Sequence, residues 1–123
     1  MKKIMSLIFI CSLVSAFVLA GCGSTNKVSD GVKSMLSISN QLAKAIHNGD
    51  QAKVKEVGPQ LEKKWASFED EVKKDNKDSY GKIEKYLDPT VAGSEADTLD
   101  KEALNSLNTQ LSQALKELAS KTK

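Results

Sequence analysis

From Val28 almost to the C-terminus, apolar residues recur at intervals of three and four, the spacing that lines one face of an α-helix. No stretch alternates with the two-residue period of a strand, and there is no β-branched run. The first predicted helix runs from about Val28 to Ile46, its stripe of Val28, Val32, Met35, Leu36, Leu42, Ala43 and Ile46 interrupted at Ser39. Asn48-Gly49 stops it, and Asp50 is placed to cap the next helix. In the second segment Val54, Val57, Leu61, Trp65, Phe68 and Val72 keep one phase across Gly58-Pro59. That continuity favours a single kinked helix over 51–74, with a break at Gly58 as the alternative. Asp75-Asn76-Lys77-Asp78 reads as a polar turn, with Asp78 as N-cap of a short helix marked by Tyr80, Ile83 and Leu87. Asp88-Pro89 is expected to end that helix, and 89–98 to form a loop. A last helix is predicted over 99–120, with Leu99, Leu104, Leu107, Leu111, Leu115 and Leu118 on one side, together with Ala103 and Ala114. Helices apolar on one face can bury those faces only against each other. The expected fold is therefore an all-α, antiparallel up-and-down bundle of three longer helices plus one short one.

The N-terminus has a different pattern. Lys2 and Lys3 precede Ile4–Ala20, a run without charge, and the run ends in Leu19-Ala20-Gly21-Cys22. This layout resembles a bacterial lipoprotein precursor, in which an aliphatic residue and two small residues precede a cysteine. The resemblance implies a cleaved signal peptide over 1–21, a diacylglyceryl thioether on the Cys22 sulfur and attachment to the extracytoplasmic face of the cell membrane. Two acyl chains suffice for stable anchoring, since each buried methylene contributes about 0.8 kcal/mol. An uncleaved signal anchor is the alternative, but Ser6, Ser12 and Ser15 dilute a run already at the short edge of a spanning helix. Residues 22–27, the lipidated Cys followed by Gly23-Ser24-Thr25-Asn26, read as a flexible tether, and 28–123 as the bundle domain. Residue 23 is Gly rather than Asp, so the inner-membrane retention signal of some two-membrane bacteria is absent.

Charge and cysteine content narrow the function. All 18 basic residues are lysines. Without the leader, 16 lysines face 16 acidic residues, a balance that disfavours nucleic acid as a partner. Cys11 leaves with the leader and Cys22 carries lipid, so no thiol remains for a disulfide, a zinc site or a nucleophile. The single His47 falls in the last turn of the first helix, where an imidazolium suits the helix C-terminus better than a metal. No phosphate-binding glycine loop, H-E-x-x-H or cysteine cluster is present, and no enzyme is expected.

The remaining candidates are carboxylates. Trp65, Phe68 and Tyr80 hold core phase, while Tyr86 lies off the stripe and is expected half-exposed. Glu69 and Glu84 lie at the borders of the apolar stripes on two helices joined by a short turn, and could converge on a cation suited to carboxylate oxygen. Asp88 and Asp70 are possible additions, although Asp70 projects away from the core. The bland alternative is pairing with Lys73, Lys82 or Lys85. Trp65-Ala66-Ser67-Phe68-Glu69-Asp70-Glu71-Val72, followed by Tyr80-Gly81-Lys82-Ile83-Glu84, is similar to the extracytoplasmic helical segment of some bacterial high-affinity iron permeases and to helical lipoproteins of the imelysin-related iron-uptake group. The likeness covers about 50–88. It implies Glu69 and Glu84 as cation ligands, iron as cargo and a membrane permease as partner. The permease R-E-x-x-E motif is missing, and so is the imelysin H-x-x-E motif, because His47 is followed by Asn48, Gly49 and Asp50. The expected function is a membrane-anchored, non-catalytic binding module accessory to cation uptake. The alternative is a structural or protein-interaction lipoprotein of the cell envelope without a small ligand.

Overall fold

The computed structural model describes residues 23–122. The segment read as a signal peptide over 1–21 and the lipidation site read at Cys22 lie outside the described residues. Five helices follow one another: α1 (Gly23–Asn48), α2 (Gln51–Ala66), α3 (Glu69–Asp75), α4 (Lys77–Glu95) and α5 (Lys101–Lys121), and no strand occurs among the described residues. The four long helices pack in the ring order α1, α2, α4, α5, each against two antiparallel neighbours, and α3 closes one end against α4. This is the expected up-and-down bundle, with four full walls where the sequence suggests three. Among the described residues, no helix is long and apolar enough to cross a membrane.

The turn between α1 and α2 forms as its residues dictate. Gly49 takes φ +67°, Asp50 N–H donates to Ala45 O and Gly49 N–H to Ile46 O, both at 3.0 Å. These two bonds close a Schellman motif that satisfies carbonyls left over at the helix end. Asp50 then caps α2, its side chain accepting from Lys53 N–H at 3.0 Å. Asp100 caps α5 in the same way, accepting from Ala103 N–H.

Three boundaries differ from expectation. Helix α1 is already formed at Gly23, the first described residue, so it takes in the segment read as tether; tertiary contacts hold its first turns, with Val28 buried and the Lys27 ammonium 2.7 Å from the Glu71 carboxylate. The second segment is not broken at Gly58-Pro59. Helix α2 runs through Pro59, and the break falls at Ser67-Phe68, where Ser67 Oγ donates to Lys64 O and Phe68 takes φ −143°. The break sends Phe68 into the core against Gly31 and edge-on to Trp65, with ring centroids 5.2 Å apart. Helix α4, finally, begins at Lys77 with Asn76 rather than Asp78 at the cap position, and it does not stop at Asp88. It continues through Pro89 to Glu95, so the expected 89–98 loop shrinks to the residues after Glu95.

An interior proline costs about 3 kcal/mol, and burial of the turns beyond it offsets that cost here. Thr90, Val91 and Ser94 are all buried. The hydroxyls are satisfied within their own helix, Thr90 Oγ1 donating to Tyr86 O and Ser94 Oγ to Val91 O, each at 2.6 Å. Facing Ser94 on α2 is Gly58, where an added Cβ would lie 1.8 Å from Ser94 Oγ and 2.2 Å from its Cβ. Small residues on both helices therefore set the α2–α4 separation.

Ser39, which interrupts the α1 stripe, meets a buried polar residue of α5. Ser39 Oγ donates to Asn108 Oδ1 at 2.8 Å, Asn108 Nδ2 donates to Ser39 O at 2.9 Å, and Ser112 Oγ lies 2.6 Å from Ser39 Oγ. These bonds tie α1 to α5 at one register and leave no buried side-chain polar atom unpartnered among the described residues.

Two glycines, each inside a helix, should respond oppositely to alanine. Gly58→Ala should lower the unfolding free energy by about 1–3 kcal/mol through overpacking against Ser94. Gly81→Ala, where nothing lies within 4 Å, should raise it by about 0.5–1 kcal/mol through helix propensity. Urea unfolding followed by circular dichroism measures both. In the same assay Asn108→Leu should cost about 1–3 kcal/mol by stranding Ser39, and adding Ser39→Ala should recover part of that loss.

Candidate cation-binding site

Trp65 stands one residue before the end of α2, and the Ser67-Phe68 break turns the chain so that Glu69 opens α3 beside it. From α4 come Tyr80 and Glu84, one helical turn apart. The Tyr80 ring stacks on Trp65 at a centroid distance of 5.8 Å and an interplanar angle of 29°. The Trp65 indole Nε1–H donates to Glu84 Oε1. Trp65 is itself buried, so its single polar atom is satisfied by a carboxylate that reaches in from the half-buried border of the bundle.

Glu69 and Glu84, the two candidate ligands, are brought into one electrostatic neighbourhood. The Glu69 carboxyl is raised above its ordinary range, first by desolvation and next by repulsion from Glu84 and then Asp70, with Lys73 acting in the opposite sense and Glu62 adding a smaller repulsion. The Tyr80 phenol registers the same field: burial raises it most, followed by Glu84, Glu69, Asp70 and Asp88. All four acidic residues singled out from the sequence therefore act on one hydroxyl. Their placement differs, however: Glu69 and Glu84 are half-buried, while Asp70 and Asp88 are exposed.

None of the lysines offered as neutralising partners forms an ion pair with Glu69 or Glu84 among the described residues. Lys82 pairs with Glu117 at 2.8 Å, Lys85 lies over the Tyr86 ring at 5.4 Å, and Lys73 lies over the Tyr80 ring at the same distance. Two carboxylates sharing a partly desolvated border repel each other, and a cation between them would relieve both the repulsion and the desolvation. Among the described residues, no group of three or more His, Cys, Asp or Glu side chains is arranged to hold a metal ion. Any cation here would complete its coordination with water or with groups supplied by another molecule.

His47 is far from this site. It is exposed in the last turn of α1, and its backbone carbonyl accepts from Lys101 Nζ at 3.1 Å beside an open groove of about 470 Å³. Tyr86 is half-buried, as its off-stripe position predicts. The indole bond to Glu84 is absent from the sequence reading, which placed Trp65 only by its apolar phase. A helix-border glutamate opposite a buried tryptophan is the one signal that could have suggested it.

No protein-family model and no solved structure matches this chain. Over 96 residues it is 28% identical to the iron uptake system component EfeM of Bacillus subtilis (strain 168), a match covering 78% of this chain and 25% of that protein. The chain thus spans about a quarter of the relative's length, and the similarity extends well beyond the 50–88 segment.

The raised Glu69 carboxyl fixes the sign of a pH effect. The folded state holds this proton more tightly than the unfolded chain, so Glu69 imposes no cost below the unfolded value near 4.5. The cost grows as pH rises through the higher folded value. Glu69→Gln should therefore be more stable than the unaltered chain at neutral pH, and the difference should vanish on acidification below that unfolded value. Thermal unfolding across the pH range checks this.

Proposed function

We propose that the protein is a lipid-anchored extracytoplasmic binding module, without catalytic activity, that assists cation uptake, with iron as the cargo and a membrane permease as the partner. The observation that carries this reading is the placement of Glu69 and Glu84, two carboxylates without a lysine at ion-pair distance among the described residues, on the border beside Trp65. Similarity to an iron uptake system component over most of the chain supports iron as the cargo. The lipobox Leu19-Ala20-Gly21-Cys22 supports attachment to the membrane. A two-carboxylate site suits capture and release, because a ligand set left incomplete by the protein lets water or a receiving protein take over the cation. The Glu pair would hold the ion, and the permease would receive it at the bilayer surface.

The sole tryptophan makes the test direct. The full chain in detergent micelles is titrated with Fe²⁺ (anaerobically), Mn²⁺, Zn²⁺ and Ca²⁺ while Trp65 emission is followed. Saturable quenching at micromolar metal is expected, weakened at least tenfold in apparent affinity, or about 1.4 kcal/mol, by Glu69→Ala. Glu84→Ala also removes the indole's partner, so affinity rather than intensity is the quantity to compare. A flat titration, or an affinity unchanged in the double variant, would sink the cation reading. It would leave an envelope protein-interaction module, to be sought by cross-linking in intact cells.

A further inference from the structure

The side walls of the bundle differ in charge. In the ring order α1, α2, α4, α5, the wall made by α1 and α5 lies opposite the wall made by α2 and α4. The α1–α5 seam is marked by Ser39 with Asn108 and Ser112 at mid-height, and by His47 with Lys101 at one end. A helix turns by about 100° per residue, which places Lys33, Asn40 and Lys44 along the outer edge of α1 beside this seam. The same geometry places Lys116, Thr109 and Glu102 along the outer edge of α5. These six side chains and Lys101 are all exposed. The pairing of Ser39 with Asn108 and Ser112 brings Lys116 level with Lys33, and the bond from Lys101 to His47 O sets Lys101 near the level of Lys44. Four ammonium groups therefore mark the corners of a patch about 16 Å long, the helix rise from Lys33 to Lys44. Glu102 is the acid within it. Asp50 and Asp100, at the end of the wall, accept from the backbone N–H groups they cap, and Asp30 turns to the α2 side of α1. Among the described residues no carboxylate lies at ion-pair distance from Lys33, Lys44, Lys101 or Lys116.

The opposite wall has the reverse balance. Glu62 on α2 and Glu84, Asp88 and Glu95 on α4 outnumber Lys55 and Lys77, and Glu69 and Asp70 at the start of α3 add to them. The Tyr80 phenol, raised by burial and then by Glu84, Glu69, Asp70 and Asp88, registers that field from within the wall. Neighbouring helix axes lie about 8–10 Å apart, so with their side chains the two walls are separated by about 20 Å, some two Debye lengths at physiological salt. An anionic surface in contact with the basic wall therefore attracts it without meeting the acids behind it. The chemistry of the wall also selects the kind of surface. Protein–protein interfaces centre on aromatic and arginine anchors and are depleted in lysine. Here lysine, asparagine and threonine predominate at the exposed positions, with no aromatic or arginine among them. Flexible ammonium groups on a polar wall suit the diffuse negative potential of a lipid surface.

We propose that the α1–α5 wall is a membrane-contact surface that lies side-on against anionic lipid headgroups, with the α2–α4 wall turned away from the bilayer. The occupant is the phosphate layer of the lipid itself. The inference stands on the distribution of charge across the bundle. It needs neither metal binding nor any particular attachment by the residues before Gly23. It leaves the Glu69/Glu84 border open on the side from which a cation would arrive.

The test begins with the unaltered full chain, because every basic side chain is a lysine and reacts with amine-acylating reagents. The chain is mixed with vesicles of phosphatidylcholine, or of phosphatidylcholine and phosphatidylglycerol in equal parts, and acylated briefly. Mass spectrometry then reads the extent of reaction at each lysine. On the anionic vesicles Lys33, Lys44, Lys101 and Lys116 should react several-fold more slowly than on the neutral ones, with Lys55 and Lys77 unchanged. The contrast should fade at about 1 M salt, where the Debye length is about 3 Å. Lys33→Gln with Lys116→Gln, both at exposed positions, should weaken the protection of Lys44 and Lys101 while leaving the circular dichroism unchanged. Equal slowing at all six lysines, stronger slowing at Lys55 and Lys77, or no slowing would overturn the proposal. Protection of the four lysines in intact cells but not on anionic vesicles would assign the wall to an acidic protein and overturn the lipid as occupant. A flat metal titration of Trp65 would remove the cation reading and leave this result as it stands.

Discussion

The close approach of α2 and α4 at Gly58 and Ser94 is the contact on which the rest of the bundle depends. Helices α1 and α2 would pair through their turn, and α4 and α5 through theirs, but the ring closes only where α2 meets α4 and α1 meets α5. At the first of these seams the separation is set by a missing Cβ on one side and a serine on the other, whose hydroxyl is already bonded to Val91 O. Burying a hydroxyl is tolerable because its own helix supplies the acceptor. The second seam is set by Ser39 and Asn108, where each polar atom again finds a partner. Both seams use small or polar residues where an apolar pair would permit sliding.

The candidate site is a product of the first seam. Bringing α4 against α2 stacks Tyr80 on Trp65 and gives the indole N–H its acceptor on Glu84. The break at Ser67-Phe68 then folds Glu69 back towards the same place, at an electrostatic cost carried by its raised carboxyl. Glu71, two residues on, shows the opposite condition: its hydrogen bond to Lys27 holds its carboxyl below the ordinary range. One short helix thus carries Glu71, paired with Lys27 where it docks α1, and Glu69, raised by burial and by Glu84.

How much of this could be read in advance depends on the kind of signal each element carries. Helices α1 and α5 have long stripes of large apolar residues, and Gly49 and Asp50 bear turn and cap chemistry that acts locally, so the existence of both helices and the turn that ends α1 follow from the sequence. The second half of α4 carries no such signal. Its buried face is Thr90, Val91 and Ser94, which resembles a loop until Gly58 is placed opposite. Pro89 strengthens the wrong expectation, because residue 88 before it is biased away from the helical region and only packing reverses the bias. The Ser67-Phe68 break was hidden for the opposite reason: the apolar phase continues through it, since Phe68 and Val72 are buried whether or not the backbone is interrupted. Glu69 and Glu84 were legible as border residues, whereas the contacts of Lys73, Lys82 and Lys85 with Tyr80, Glu117 and Tyr86 were not.

By itself, the sequence determined the helical class, the antiparallel bundle and the capped turn after α1. All of these depend on residues close together along the chain or on periodicity within one helix, and local geometry decides them. Only the tertiary structure decided that α4 passes through Pro89, that the second segment breaks at Ser67-Phe68, that Trp65 bonds Glu84 and that Glu69 lies in the field of another carboxylate. Those outcomes rest on contacts between residues far apart in sequence, whose energies exceed the local preferences of Pro89, Gly58 and Ser94 only when the helices are brought together.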